Sequence, residues 1–146
     1  MLQIHTEDLL ELAEQGRYTY LVNPCSLETN ILTPLAKRLY VDYPGFADRL
    51  VSEPYNCCVF NTGAFRILNF LCYDTAEPTD RFAYESFTEF LTRTLKIFRT
   101  VPEKQGLAIA FYNMKRRLYC LQEQQVISSL TTFAQDLPNA TVHYHH

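Results

Sequence analysis

Hydrophobic and polar positions along this chain switch repeatedly between a two-residue and a near-four-residue period, and each switch marks an element boundary. At the start, 2–6 reads as a short strand. Residues 7–14, with leucines at 9, 10 and 12 behind early acids, read as one or two helical turns ended by Gly16. Tyr18 to Val22 is aromatic and β-branched and predicts a strand. It is expected to stop at Asn23-Pro24, because proline has no amide to give a central ladder. From Ile31 the apolar residues Leu32, Leu35, Ala36, Leu39 and Tyr40 recur at helical spacing, with Thr29 or Asn30 as cap and Pro34 early enough to be tolerated.

After Tyr43-Pro44-Gly45 a short helical piece is expected over 46–52. Cys57 to Phe60 and Phe65 to Tyr73 then read as two strands of a hairpin around Asn61-Thr62-Gly63. A polar, proline-containing stretch leads to a long helix whose apolar face is Phe87, Phe90, Leu91, Leu95 and Phe98. Leu107 to Tyr112 is nearly unbroken in its apolarity, as a strand covered on both faces should be, and is the candidate for the sheet centre. A last helix is marked by Val126, Ile127, Leu130, Phe133, Ala134 and Leu137. Pro138-Asn139 ends it, and Thr141 to His145 forms a terminal strand. Alternating strands and helices predict a layered α/β domain over 1–146, with no repeat or linker to divide it.

Length and charge narrow the picture. The chain has 146 residues, 47% of them hydrophobic, enough for one sizeable core. A formal charge of −3 gives no global drive toward nucleic acid or anionic membrane. Cys25, Cys57, Cys58, Cys72 and Cys120 are an odd set with no CxxC pair, read as reduced thiols, with Cys25 a small buried residue rather than a nucleophile. Glu7, Asp8 and Glu11 among the first leucines do not fit a signal peptide or anchor, so a cytoplasmic setting is expected.

The run YLVNPCSLETNILTPLAKRLYVDYPGFADRL, the preceding Glu7-Asp8-Leu9-Leu10 and the later LAIAFYNMKRRLYCLQEQQVISSLTTF resemble, in order and spacing, the successive motifs of macro domains. These are the family's Gly-Asp-hydrophobic motif, its Asn-x-x-Asn loop and helix, and its last strand, phosphate loop and helix. The resemblance implies a three-layer α/β/α fold with a mixed central sheet and ADP-ribose lying across the strand ends. It places Asp8 where the family's aspartate bonds the adenine amino group, and Asn23 at the first, largely structural asparagine of the loop. A plain helix-opening acid, favoured by the helix dipole, is the other reading of Asp8.

The departures from the family pattern concern ligand contact. Ser26 stands where the second asparagine contacts the distal ribose, and a serine lacks the amide's two donors and one acceptor. Asn30 lies in a first loop that carries Leu32 and Pro34 where the family has glycines. The second loop reads Asn113, Met114, Lys115, Arg116, Arg117 where glycine amides would cradle a diphosphate. All four glycines, Gly16, Gly45, Gly63 and Gly106, lie elsewhere. A vestigial cleft of Asp8, Asn23, Ser26, Asn30, Asn113, Lys115, Arg116 and Arg117 is therefore expected, with no catalytic residue, metal or cofactor assigned.

Three readings follow: a non-catalytic interaction or altered-ligand module, a divergent ADP-ribose binder or ADP-ribosyl hydrolase, and a phosphate binder using the Lys115–Arg117 triplet. The triplet also reads as a solvated turn, and Tyr112 and Tyr119 beside it suit base stacking in a nucleic-acid binder. His143 and His145 share a strand face at a metal-ligand spacing, but a frayed polar terminus is the expectation, and His5 is assigned no role. Twenty Phe and Tyr residues exceed what one small core readily buries and suggest an exposed aromatic interface, such as a homodimer's.

Overall fold

The computed structural model describes residues 1–26, 34–46, 57–72, 80–101, 106–112 and 123–145. Strands and helices alternate through them as β1 (Leu2–His5), α1 (Leu9–Glu14), β2 (Tyr20–Ser26), α2 (Pro34–Asp42), β3 (Cys57–Asn61), β4 (Arg66–Cys72), α3 (Asp80–Thr100), β5 (Leu107–Tyr112), α4 (Glu123–Gln135) and β6 (Ala140–His145). The six strands form one sheet in the order β1-β6-β5-β2-β4-β3, parallel except for the antiparallel β3–β4 hairpin. This is the expected mixed sheet. The apolar run Leu107–Tyr112 is one of its two central strands, with β2 the other.

Alternation along the strands builds two cores. Val22, Leu68, Ile109, Phe111, Val142 and Tyr144 face α3 and α4, and pack with Phe87, Phe90, Phe98, Val126, Leu130 and Phe133. On the other face Leu21, Ile67 and Ala110 meet Leu9, Leu10 and Ala13 of α1 and Leu35 and Leu39 of α2. Each buried Leu or Phe contributes about 1.5–3 kcal/mol of transfer free energy, so a sheet covered on both faces gains from both sets. The result is the three-layer α/β/α arrangement.

Two cores also explain the aromatic residues. Among the described residues the exposed large hydrophobics are Met1, Ile4, Val41 and Val59, with no Phe or Tyr. The described Phe and Tyr side chains are divided between two cores rather than one. No helix among the described residues is long and apolar enough to cross a membrane.

Strand β2 does not stop at Asn23-Pro24 but runs on to Ser26. Its pairing with β5 ends at Val22, whereas its pairing with β4 continues from Tyr20 to Ser26. Among the described residues Pro24 pairs with Phe70 of β4 alone, the situation of an edge strand that tolerates a missing amide. The terminal strand is not frayed either. β6 lies between β1 and β5, and His145 is 1% exposed. Of the helical piece expected over 46–52 only Phe46 is among the described residues, fully buried against Tyr40 and Phe60.

The predicted hairpin is present. The Thr62 amide donates to the Phe65 carbonyl at 3.0 Å, the Thr62 hydroxyl accepts from the Phe65 amide at 3.1 Å, and the Asn61 side chain accepts from the Gly63 amide at 2.9 Å. Gly63 has φ +98°, and a Cβ built there meets no heavy atom within 4 Å. A Gly63→Ala substitution is expected to cost about 1–2 kcal/mol from backbone strain alone. Urea unfolding checks this, and a neutral result would refute a left-handed residue at the turn.

Candidate functional site

At the C-terminal ends of β1 and β5 a cavity of about 290 Å³ opens between the start of α1 and the side of α2, lined by Thr6, Glu7, Asp8, Leu35, Arg38 and Tyr112 among others. Its position follows from chain geometry. β1 ends at His5, three residues cross to Leu9, and the turn they make forms one wall. The opposite wall is α2, whose Leu35 and Leu39 are buried while Arg38, on the flank of that face, is exposed and reaches Asp8.

Asp8 is the N-cap of α1, with extended backbone (φ −67°, ψ 119°). Its Oδ1 accepts from the amides of Leu10 at 2.9 Å and Glu11 at 3.2 Å, and its Oδ2 accepts from Arg38. Burial works against the charged carboxylate, but the Glu11 amide, Arg38 and the Leu10 amide together outweigh it and hold the Asp8 pKa below its ordinary value. The helix-opening reading of Asp8 is thereby realised, and both oxygens are engaged from within the chain.

Asn23 is buried on β2 and donates from Nδ2 to Oδ1 of Asn69, its in-register neighbour on β4, at 2.9 Å. Asn69 carried no weight in the sequence, although a lone carboxamide in the strand RILNFLC was the available signal. The two amides belong to a longer polar row. His5 pairs with His145, His145 with Tyr112, and Asn23 with Asn69; because Val22 pairs with Phe111, the next residues Asn23 and Tyr112 stand level. Alternation puts this row on the face covered by α1 and α2, near the C-terminal ends of the parallel strands. Ser26 closes β2 opposite Cys72. Asn30, Asn113, Lys115, Arg116 and Arg117, and Tyr119 with them, lie outside the described residues.

A second constellation was not foreseen. Tyr18, His5, His143 and His145 meet where β1, β6 and the α1–β2 connection converge. The Tyr18 hydroxyl lies 2.6 Å from Nε2 of His145, whose Nδ1 lies 2.9 Å from the Glu7 carbonyl. A carbonyl only accepts, so Nδ1 carries the hydrogen and Nε2 accepts from the tyrosine. Burial pushes the Tyr18 pKa up to about 12, opposed in part by Arg17 and assisted by the nearby Glu7 charge. Among the described residues no group of three or more His, Cys, Asp or Glu side chains has the geometry to hold a metal ion.

With this geometry in hand, comparison with solved structures gives the fold its place. The chain is similar to the macrodomain of Mycobacterium tuberculosis DarG, with a TM-score of 0.70 and 17% identity over 100% of this chain and 98% of that one. It is also similar to the macrodomain of Thermus aquaticus DarG, with a TM-score of 0.62 and 15% identity over 100% and 98%. A third likeness is to alphavirus P23pro-zbd, with a TM-score of 0.68 and 12% identity over 99% of this chain and 21% of that one. No protein-family model and no curated protein matches the sequence. The fold is therefore that of macrodomains, a likeness of architecture at identities too low to carry ligand residues across.

Proposed function

We propose that the chain is a non-catalytic binding or protein-interaction module of macrodomain fold, whose strand-end cleft no longer holds ADP-ribose in the family's manner. The observation that carries this reading is the commitment of Asp8. Its carboxylate caps α1 and pairs with Arg38, so three of its roughly four acceptor sites are taken from within the chain and an adenine amino group would have to share Oδ2 with a guanidinium. The sequence supports it independently: Leu32, Pro34 and the Lys115–Arg117 triplet stand where backbone glycines would approach the ligand, and Ser26 replaces a water-orienting amide. A second reading, a divergent ADP-ribose binder or hydrolase, is favoured by one feature, the cavity of about 290 Å³ with Asp8 in its wall.

Calorimetric titration with ADP-ribose, with AMP in parallel, separates the two. The informative variant is Asp8→Asn, which keeps a good N-cap and removes the charge; alanine would also cost about 1 kcal/mol of capping. On the first reading neither nucleotide gives saturable heat in wild type or variant. Saturable micromolar binding of ADP-ribose that Asp8→Asn abolishes would overturn it and establish the second.

A further inference from the structure

The hydrogen-bond directions in the histidine cluster are fixed by its surroundings. The Thr141 hydroxyl lies 3.4 Å from the Leu107 carbonyl and donates to it, so it accepts from Nε2 of His143 at 3.1 Å. With its hydrogen on Nε2, His143 presents a bare Nδ1, which accepts from Nε2 of His5 at 2.8 Å. His5 then has Nδ1 left, facing the Glu7 carboxylate at 3.3 Å. The His5–His143 hydrogen bond accommodates one added proton but not two, since two cationic rings would set N–H against N–H. A proton on Nδ1 of His143 would point at the N–H of His5, and two stacked cationic rings 5.0 Å apart would face each other. His145 has a way out, because the Tyr18 hydroxyl can turn from donor to acceptor. His143 has none.

The groups around His143 reinforce this. From β1 and its flanks come His5, Glu7 and the Met1 ammonium, from the α1–β2 connection Arg17 and Tyr18, from the α1 cap Asp8, and from β6 itself His145. Of these described groups only Glu7 and Asp8 are acidic. Glu7 is turned to His5, and Asp8 to Arg38 and the α1 amides. Burial, then His5, His145, Arg17 and the terminal ammonium, push the His143 pKa down to about 4.

β1 is a four-residue edge strand whose neighbour in the sheet is β6, and Ile4 on it is 47% exposed. Its four residues all pair with β6, and Leu2 packs against the α3–α4 core. We infer that the His5–His143 contact is a proton-operated latch: a second proton in the cluster breaks it, frees β1 from β6, and withdraws the Thr6–Asp8 wall of the cavity that β1 leads into. As a control on that cleft the latch extends the reading above, but its test needs no ligand, so either can fail alone.

The test is amide hydrogen exchange with the rates normalised to intrinsic exchange at each pH, from about pH 7 to about pH 5. The amides of Leu2–His5 are expected to lose protection at least about tenfold more than those of Leu107–Tyr112. In His143→Gln, which can accept from His5 and donate to Thr141 without titrating, the differential should vanish; if that variant does not fold, His5→Gln serves. A constant ratio of β1 to β5 protection across the range would overturn the latch, as would the same loss in the variant. So would a His143 ring that takes its proton, by its imidazole NMR shifts, while β1 stays protected.

Discussion

Replacing Phe111 with alanine should lower the stability of the protein by about 3–5 kcal/mol. Phe111 is fully buried on β5 and stands edge-on to Phe133 at 5.3 Å and to Phe90 at 6.4 Å, so one ring joins α3, α4 and the sheet centre. Deleting it removes the transfer free energy of the ring and leaves a void that three rigid elements cannot close together. Domains of this size are stable by only about 5–15 kcal/mol, so the loss would be a large share of the total. Urea unfolding should show a lower midpoint at unchanged slope, with Phe111→Leu losing much less. A loss under about 1 kcal/mol would mean that the aromatic contacts are not packed as described.

Acidification should weaken the protein through His143, and the sign follows from its lowered pKa. Above pH 6.5 the ring is neutral in both folded and unfolded chains, and its contribution is constant. As pH falls below that value the unfolded chain takes the proton first, so stability is lost progressively until about pH 4, where the folded chain takes it too. Taken at full value the shift amounts to about 3 kcal/mol, and partial exposure of the ring reduces this to about 2 kcal/mol. Carboxylates add their own acid dependence, so the measurement is a difference. Urea midpoints across the window should fall more steeply for the wild type than for His143→Gln, and parallel profiles would show that His143 does not carry the effect.

How far the sequence reached depended on how far apart the partners lie. Elements declared by local pattern were readable: the apolar strand 107–112, the hairpin around Asn61-Thr62-Gly63, and the helix faces of Phe87, Phe90 and Leu91. Pro24 was misjudged because its tolerance depends on which strands flank β2, with β4 alone beyond Val22 among the described residues, and no property of residues 20–26 reveals that. The histidines were misjudged for a related reason. His143 and His145 look like a polar tail until His5, 138 residues from His143, and Tyr18, 127 residues from His145, are brought beside them. Asp8 was legible as a helix-opening acid from its place before Leu9 and Leu10, but Arg38, its other partner, comes from α2, the neighbouring helix on the same face of the sheet. Asn69 gained meaning only when register set it beside Asn23.

The strand order also carries a kinetic meaning. The β3–β4 hairpin joins near neighbours in sequence and closes a short loop, whereas β1 against β6 joins segments about as far apart as the chain allows. Closure entropy grows slowly with loop length, by about 0.6 kcal/mol per doubling, but it must be met before any contact of the seam compensates it. Closing the β1–β6 seam therefore costs more chain entropy than closing the β3–β4 hairpin. The seam where the histidines meet is thus the strand pairing that spans the greatest length of chain in the sheet.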